Sequence, residues 1–352
     1  MDKAIIGGVD AHEQTHHAVA LDERGRRLGD EAFPTTRTGY QQLLVWFRQF
    51  GPIRSIGIES TGAYAAGLTR FLRAADINVI EVNQPHPHTR HRRGKTDAID
   101  AEAAARKVLS GEAATIPKET TGIVESIRQL RVTRESAIKG RSAALVQLGE
   151  LIITAPAELR EQFTQRTLRG RAQVCLRLRP DRTRMTDPLH AAKLALQSLA
   201  GRIRALDAEI AELDSHLKLL VARAAPRTTA LLGVKTGHAG QLLVTAGQNF
   251  DRLRSEAAFA HLCAVDPIQA SSGKTTRHRL NPGGDRAANS ALHMIAVVRL
   301  RYCARTRAYA ARRTAQGRSK REILRCLKRY IAREIYHSVR ADLAALSALD
   351  NL

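Results

Sequence analysis

Aromatic residues are scarce, at 4% of the 352 positions, so a surface that holds nucleic acid mainly by stacking bases on rings is not expected. Cysteine is sparser still, at four residues. Cys175, Cys263, Cys303 and Cys326 stand apart with no C-x-x-C pair, which argues against a zinc knuckle or a disulfide framework and leaves them as reduced fillers. No apolar run approaches the length of a membrane-spanning helix, about 18 residues, and the opening MDKAIIGGVDAH lacks the layout of a signal peptide. No membrane partner is expected, and the chain is expected in the cytoplasm. A G-x-x-x-x-G-K-[ST] phosphate loop is also missing, so nothing points to a nucleoside triphosphate as an energy source. Acidic residues are few against basic ones: 34 Asp+Glu face 56 Lys+Arg, for a formal net charge of +22 and a pI near 10.8. That excess calls for a polyanionic partner, nucleic acid first. What is present in ordinary amount is hydrophobic sequence, 43%, over a length that allows two or three domains.

The first hundred residues alternate strand and helix patterns. AIIGGVD, THHAVALD and RLGDEAF read as three consecutive strands joined by polar turns such as DERG. TGYQQLLVWFRQF has helical apolar spacing, SIGIES is a short strand, AAGLTRFLRAA is helical and INVIEVN is a strand. RRGKTDAIDAEAAAR, residues 92–106, then runs from a cationic loop into an alanine-rich helix. The order βββαβαβα is expected of a ribonuclease-H-like fold, a mixed sheet flanked by helices. Beyond Pro117 the pattern turns to long helices without strand signals. Leu199, Ile203, Leu206, Ile210, Leu213, Leu217 and Leu220 recur at alternating intervals of four and three, a coiled-coil seam, with a plausible partner face over residues 119–152. Packing within the chain and contact with a second chain both fit that seam.

After Ala225-Pro226, TTALLGVKTGHAGQLLVTAG has the outline of a helix-hairpin-helix that offers turn amides to a phosphate. Lys235 stands where a second glycine is usual, and a plain helical hairpin fits equally well. Residues 299–333 are dense in arginine and lysine on helical sequence, which suits a nucleic-acid backbone or a solvated face. The expected architecture is α/β plus all-α. It comprises an α/β domain over 1–115, a helical coiled-coil region over 116–225 and a mainly helical domain over 226–352.

Four carboxylates can converge in the first part. Asp10 ends the first strand, Glu59 ends the SIGIES strand, and Asp97 and Asp100 share a helical face because residues three apart are neighbours. The bland alternative for the last two is capping, with Asp97 as N-cap and Asp100 at the third helical position. Four such acids would raise one another's pKa unless cations neutralised them, and hard oxygen ligands suit Mg2+ or Mn2+. Two divalent ions stabilise the attacking and leaving oxygens of a phosphoryl displacement. Arg90, Arg92, Arg93 and Lys95 just upstream would hold the anionic backbone. His86, His88 and His91 nearby lack the spacing of a helical metal site and read as phosphate-contacting or exposed.

These residues resemble those of the DEDD transposases of insertion sequences, in the group numbered one hundred and ten, whose members act as bridge-RNA-guided recombinases. The resemblance rests on GVDAHEQTHHAVALD around Asp10, GIESTGAY around Glu59, GKTDAIDAEAAAR around Asp97 and Asp100, and SSGKTTRHRLNPGGDRAANSALHMIA in the last third. It covers nearly the whole chain. It implies a RuvC-like nuclease domain over 1–115 with its catalytic and metal-binding tetrad at Asp10, Glu59, Asp97 and Asp100. It further implies a transposase domain over 226–352 whose serine becomes joined to DNA, here Ser272, with Ser271 the alternative. SSGK by itself is commonly a turn, and a serine hydroxyl needs activation to attack. Lys274, Arg277 and Arg279 could neutralise the scissile phosphate. A Gly-Asn pair frequent in the family reads Gly284-Asp285 here.

The resemblance therefore implies a nucleoid-associated DNA recombinase that excises and integrates its own element. Its partners would be donor and target DNA, a noncoding bridge RNA and further copies of itself, as a dimer or tetramer. Two rivals stand beside it: a RuvC-like endonuclease that uses only the acids, and a nucleic-acid-binding protein without catalysis.

Overall fold

The computed structural model describes residues 4–59, 61–82, 96–163, 167–274 and 278–350. Its sheet consists of β1 (Ile5–Ala11), β2 (Thr15–Leu21), β3 (Arg27–Pro34), β4 (Ile53–Glu59) and β5 (Val79–Val82). The strand order is β3-β2-β1-β4-β5. The first three strands form an antiparallel meander, while β4 pairs parallel with β1 and β5 parallel with β4. This is the mixed sheet that the alternating patterns predict.

Because β1 is central, both of its faces are buried, and alternate residues serve different layers. Ile5 and Val9 pack with Ile56 and Ile58 against Leu43 and Phe47 of α1 (Arg37–Arg48) and Leu68 and Leu72 of α2 (Ala66–Ala74). Ile6 points the other way and packs with Val19 and Leu21 on Ala101 and Ala105 of α3 (Asp97–Leu109). Two glycines set how closely α3 approaches. A Cβ on Gly8 would overlap the Ala101 carbonyl and lie 2.6 Å from Ala105 N, and one on Gly57 would lie 2.8 Å from the Ala104 oxygen. The helix therefore rests on bare backbone of β1 and β4.

The remainder is mostly helical. α4 (Gly122–Thr154) leads through short helices α5 (Ala157–Arg160) and α6 (Leu168–Cys175) to α7 (Pro188–Ala224). The long pair runs antiparallel, since Arg134 pairs with Asp214 at 2.5 Å and Arg141 with Asp207 at 2.8 Å. Ile203, Ile210 and Leu217 are buried, and Leu199, Leu206, Leu213 and Leu220 are half-buried. The heptad seam is thus occupied by α4 of the same chain, which accounts for it without a second copy. At the far end Leu148, Ile152, Leu159, Phe163, Cys175 and Leu196 form a separate small core.

The C-terminal core gathers α8 (Pro226–Thr229), α9 (Thr236–Ala246), α10 (Glu256–Leu262), α11 (Arg286–Tyr302), α12 (Ala304–Ala315) and α13 (Lys320–Asp350). It includes Val124 and Ile127 from the near end of α4 and Leu217 and Val221 from α7. The turn before α9 commits Val234 N to the Leu231 carbonyl and Lys235 N to the His238 ring, so these amides serve a plain hairpin. One feature departs from the expected all-helical course: β6 (Ile268–Gln269) and β7 (His278–Arg279) form an antiparallel hairpin. Two-residue strands are too short to show alternation in sequence.

Residues 114–120 join the sheet to this core. Glu81 N of β5 bonds to the Thr115 carbonyl at 2.8 Å. Arg252 donates to the Ile116 carbonyl at 3.1 Å, and Asn249 Nδ2 to that of Pro117 at 3.1 Å. Arg70 of α2 reaches Thr120 Oγ1 at 3.0 Å.

Candidate active site

Asp10 follows Ile6 and Gly8 at intervals of two, so its side chain leaves β1 on the face that carries α3. Glu59 stands in the same relation to Gly57 on β4. The register pairs Val9 with Ile58, so Asp10 and Glu59 lie side by side at the ends of two parallel strands. Both are buried, at 8% and 7% exposure. The start of α3 lies over this edge.

The capping expectation for Asp97 is corrected here. Thr96 is the N-cap: its backbone is extended, at φ −137° and ψ 152°, and its hydroxyl accepts from Ile99 N at 3.3 Å. A cap needs that extended backbone, which Thr96 supplies and Asp97, already the first helical residue, does not. The carboxylates of Asp97 and Asp100 are left for the sheet edge.

His12, just past the end of β1, closes the arrangement. Its Nε2 lies 3.2 Å from Asp10 Oδ2 and 3.3 Å from Asp97 Oδ1. Burial, chiefly, raises the Asp10 pKa above the ordinary carboxylate value; Asp100 and Asp97 push it further up while His12 opposes them. The fold therefore brings Asp10, Asp97 and Asp100 into one electrostatic unit, with Glu59 on the adjoining strand. Ligand atoms of Asp10, His12 and Asp97 all lie within 4.8 Å of one another. Carboxylate oxygens with one imidazole suit a divalent cation, and the side chains of His12 and Asp97 are 46% and 53% exposed, open to an incoming ligand. The sequence reading missed His12, whose only signal is its place two residues past Asp10, and it missed the part played by Gly8 and Gly57.

The serine candidates lie elsewhere, in the turn between β6 and β7. Ser271, Ser272 and Lys274 are exposed, as is Arg279 on β7, and Gly273 takes the left-handed conformation at φ +55°. Gln269 Nε2 donates to Ser271 Oγ at 3.5 Å. The base of the hairpin is fixed: Asn281 donates to Asp266 at 2.7 Å, and Asp266 also pairs with His261 at 2.8 Å. Arg277 falls outside the described residues, as do Arg90, Arg92, Arg93, Lys95, His86, His88 and His91.

Gly284 and Asp285 have defined structural tasks. Asp285 caps α11 by accepting from Ala287 N and Ala288 N at 2.8 and 3.2 Å through one oxygen. Its other oxygen accepts from Thr245 Oγ1 at 2.6 Å and Gln241 Nε2 at 3.0 Å. The carboxylate thus answers four donors and ties α11 to α9. Among the described residues, no helix is long and apolar enough to cross a membrane.

Two stretches of the chain match known families. Residues 7–153, which contain the acid cluster, match the DEDD transposases of the IS110 type. Residues 227–311, which contain the serine hairpin, match the transposase IS116/IS110/IS902 family. No curated protein matches the chain.

Proposed function

From a chain that carries both transposase patterns of the IS110 type in order, we propose a DNA recombinase that excises and integrates an insertion sequence. The N-terminal sheet is read as a RuvC-like, ribonuclease-H-like domain, and its acids as the catalytic tetrad. The observation that carries this reading is the meeting of Asp10 and Asp97 at His12, from opposite ends of the N-terminal region.

Asp10, Glu59, Asp97 and Asp100, with His12 beside them, would hold Mg2+ or Mn2+, which supplies stabilisation of charge on the oxygens of phosphoryl transfer. Ser272 Oγ attacks a backbone phosphorus of DNA. An Oγ–P bond forms, one P–O bond of the strand breaks, and the released end leaves as a hydroxyl that takes up, in net terms, the serine's proton. The phosphoserine ester conserves the bond energy, so an incoming hydroxyl can reverse the step without an external energy source. Lys274, Arg277 and Arg279 neutralise the phosphate under attack. Base pairing with a noncoding bridge RNA selects the site, while the basic surfaces hold the backbones of DNA and RNA. The working unit is an oligomer at the nucleoid in the cytoplasm.

The test is capture of a covalent protein–DNA adduct on a labelled substrate. Wild type is expected to form it, and Ser272→Ala and Asp97→Ala are expected to lose it. An adduct that persists in Ser272→Ala would move the assignment to Ser271. Cleavage without any adduct would favour the endonuclease, and absence of both activities in every chain would favour a binding protein. Sequencing RNA that co-purifies with the protein tests the guide.

A further inference from the structure

A pocket of about 360 Å³ opens where the loop after β7 meets the start of α11 and the first third of α13. Its wall is held in place by close packing: a Cβ on Gly284 would lie 2.5 Å from Ala264 N and 2.6 Å from the His261 oxygen. Arg286, Ser290 and His293 line it from one face of α11, at intervals of four and three. None of these three side chains makes a hydrogen bond or ion pair among the described residues. Lys328 joins them from α13, donating to Asn289 Oδ1 at 2.6 Å, and Asn289 in turn donates to the Ala264 carbonyl at 2.6 Å.

Among the described residues, no carboxylate lines the pocket. Burial, with Arg325 adding to it, holds the Lys328 ammonium below the ordinary lysine range, a strain that an anion would relieve. The helix terminus itself is not the recognition element, because Asp285 already accepts from the first-turn amides Ala287 N and Ala288 N. The free donors are side chains. Pro282 and Ala264 supply a small apolar wall, and the volume suits a nucleotide better than a lone ion. The polypeptide passes directly from β7 into the pocket at Asn281, so the site sits at the root of the hairpin that carries Ser272.

We propose that this pocket seats a backbone phosphate of the DNA strand that runs to the serine hairpin. Arg286 and Lys328 supply the charge, Ser290 and His293 further hydrogen-bond donors, and Pro282 the contact with the sugar. The inference rests on the recombinase reading for the identity of the strand, and its readout requires no cleavage.

The experiment titrates a short labelled DNA duplex with the full chain by fluorescence anisotropy over a range of salt. The double variant Arg286→Gln, His293→Gln is compared with wild type and with Arg202→Gln, Arg204→Gln on the exposed side of α7. The pocket pair is expected to weaken binding severalfold and to lower the slope of log affinity against log salt by about one. The α7 pair is expected to leave both unchanged. An unaltered slope in the pocket pair, or an equal loss in the α7 pair, would overturn the proposal. A parallel titration with an RNA hairpin distinguishes the source of the phosphate, and a loss confined to RNA would overturn the assignment to DNA. Adduct formation is scored separately, so failure of the serine chemistry and failure of the pocket give different results.

Discussion

His12 is shared by Asp10 and Asp97, and at Asp10 it offsets part of the rise in pKa that burial and the neighbouring carboxylates impose. A neighbouring histidine has the opposite environment. His16 on β2 is fully buried, and its ring stacks on Tyr40 with centroids 5.7 Å apart. Burial lowers its pKa below the ordinary 6.5. The folded protein keeps the ring neutral while the unfolded chain takes up a proton as pH falls through about 6.5, so stability present above that pH is lost on acidification. His16→Phe keeps a stacked ring and removes the titration. Its melting temperature is expected to drop less than that of wild type between neutral and mildly acidic buffer, and parallel curves would count against His16. At this scale the acids were legible because all four lie at or near the end of a recognisable element. His12 was not, being one of 13 histidines whose local sequence says nothing of what faces it in space. Thr96 was missed because an aspartate beside it offered an equally good cap on paper.

Among elements, the seating of α3 on β1 and β4 decides whether the acids meet. Gly8→Ala would drive a methyl group into the Ala101 carbonyl and lift the helix that carries Asp97 and Asp100. A loss of about 1–3 kcal/mol is expected in urea unfolding, as for other overpacked sites. Adduct formation should fall far more than stability alone explains. A stable Gly8→Ala protein with full activity would show that the close approach is not needed. The strands and helices of this region were legible from their apolar periods. The glycines said only that something comes close, and which helix does so depends on chain crossovers that no local pattern encodes. The β6–β7 hairpin escaped notice because its ladder is too brief to leave a period.

In the molecule as a whole, the seam over residues 199–220 was legible as a coiled coil, but its partner was not. Heptad spacing reports an apolar stripe and is silent on whose helix fills it. The structure answers with α4, which covers the stripe within one chain. An equimolar mixture of Asp97→Ala and Ser272→Ala chains is expected to regain adduct formation if the acids of one copy serve the serine of another. No recovery would confine the reaction to a single chain. The α4–α7 pair has a mechanical consequence as well. A helix of 33 residues extends about 50 Å, and this one is rooted in the C-terminal core at one end while the other carries its own small core. It is a boom with a weighted tip, and a tilt of a few degrees at its root would sweep that tip through several ångströms.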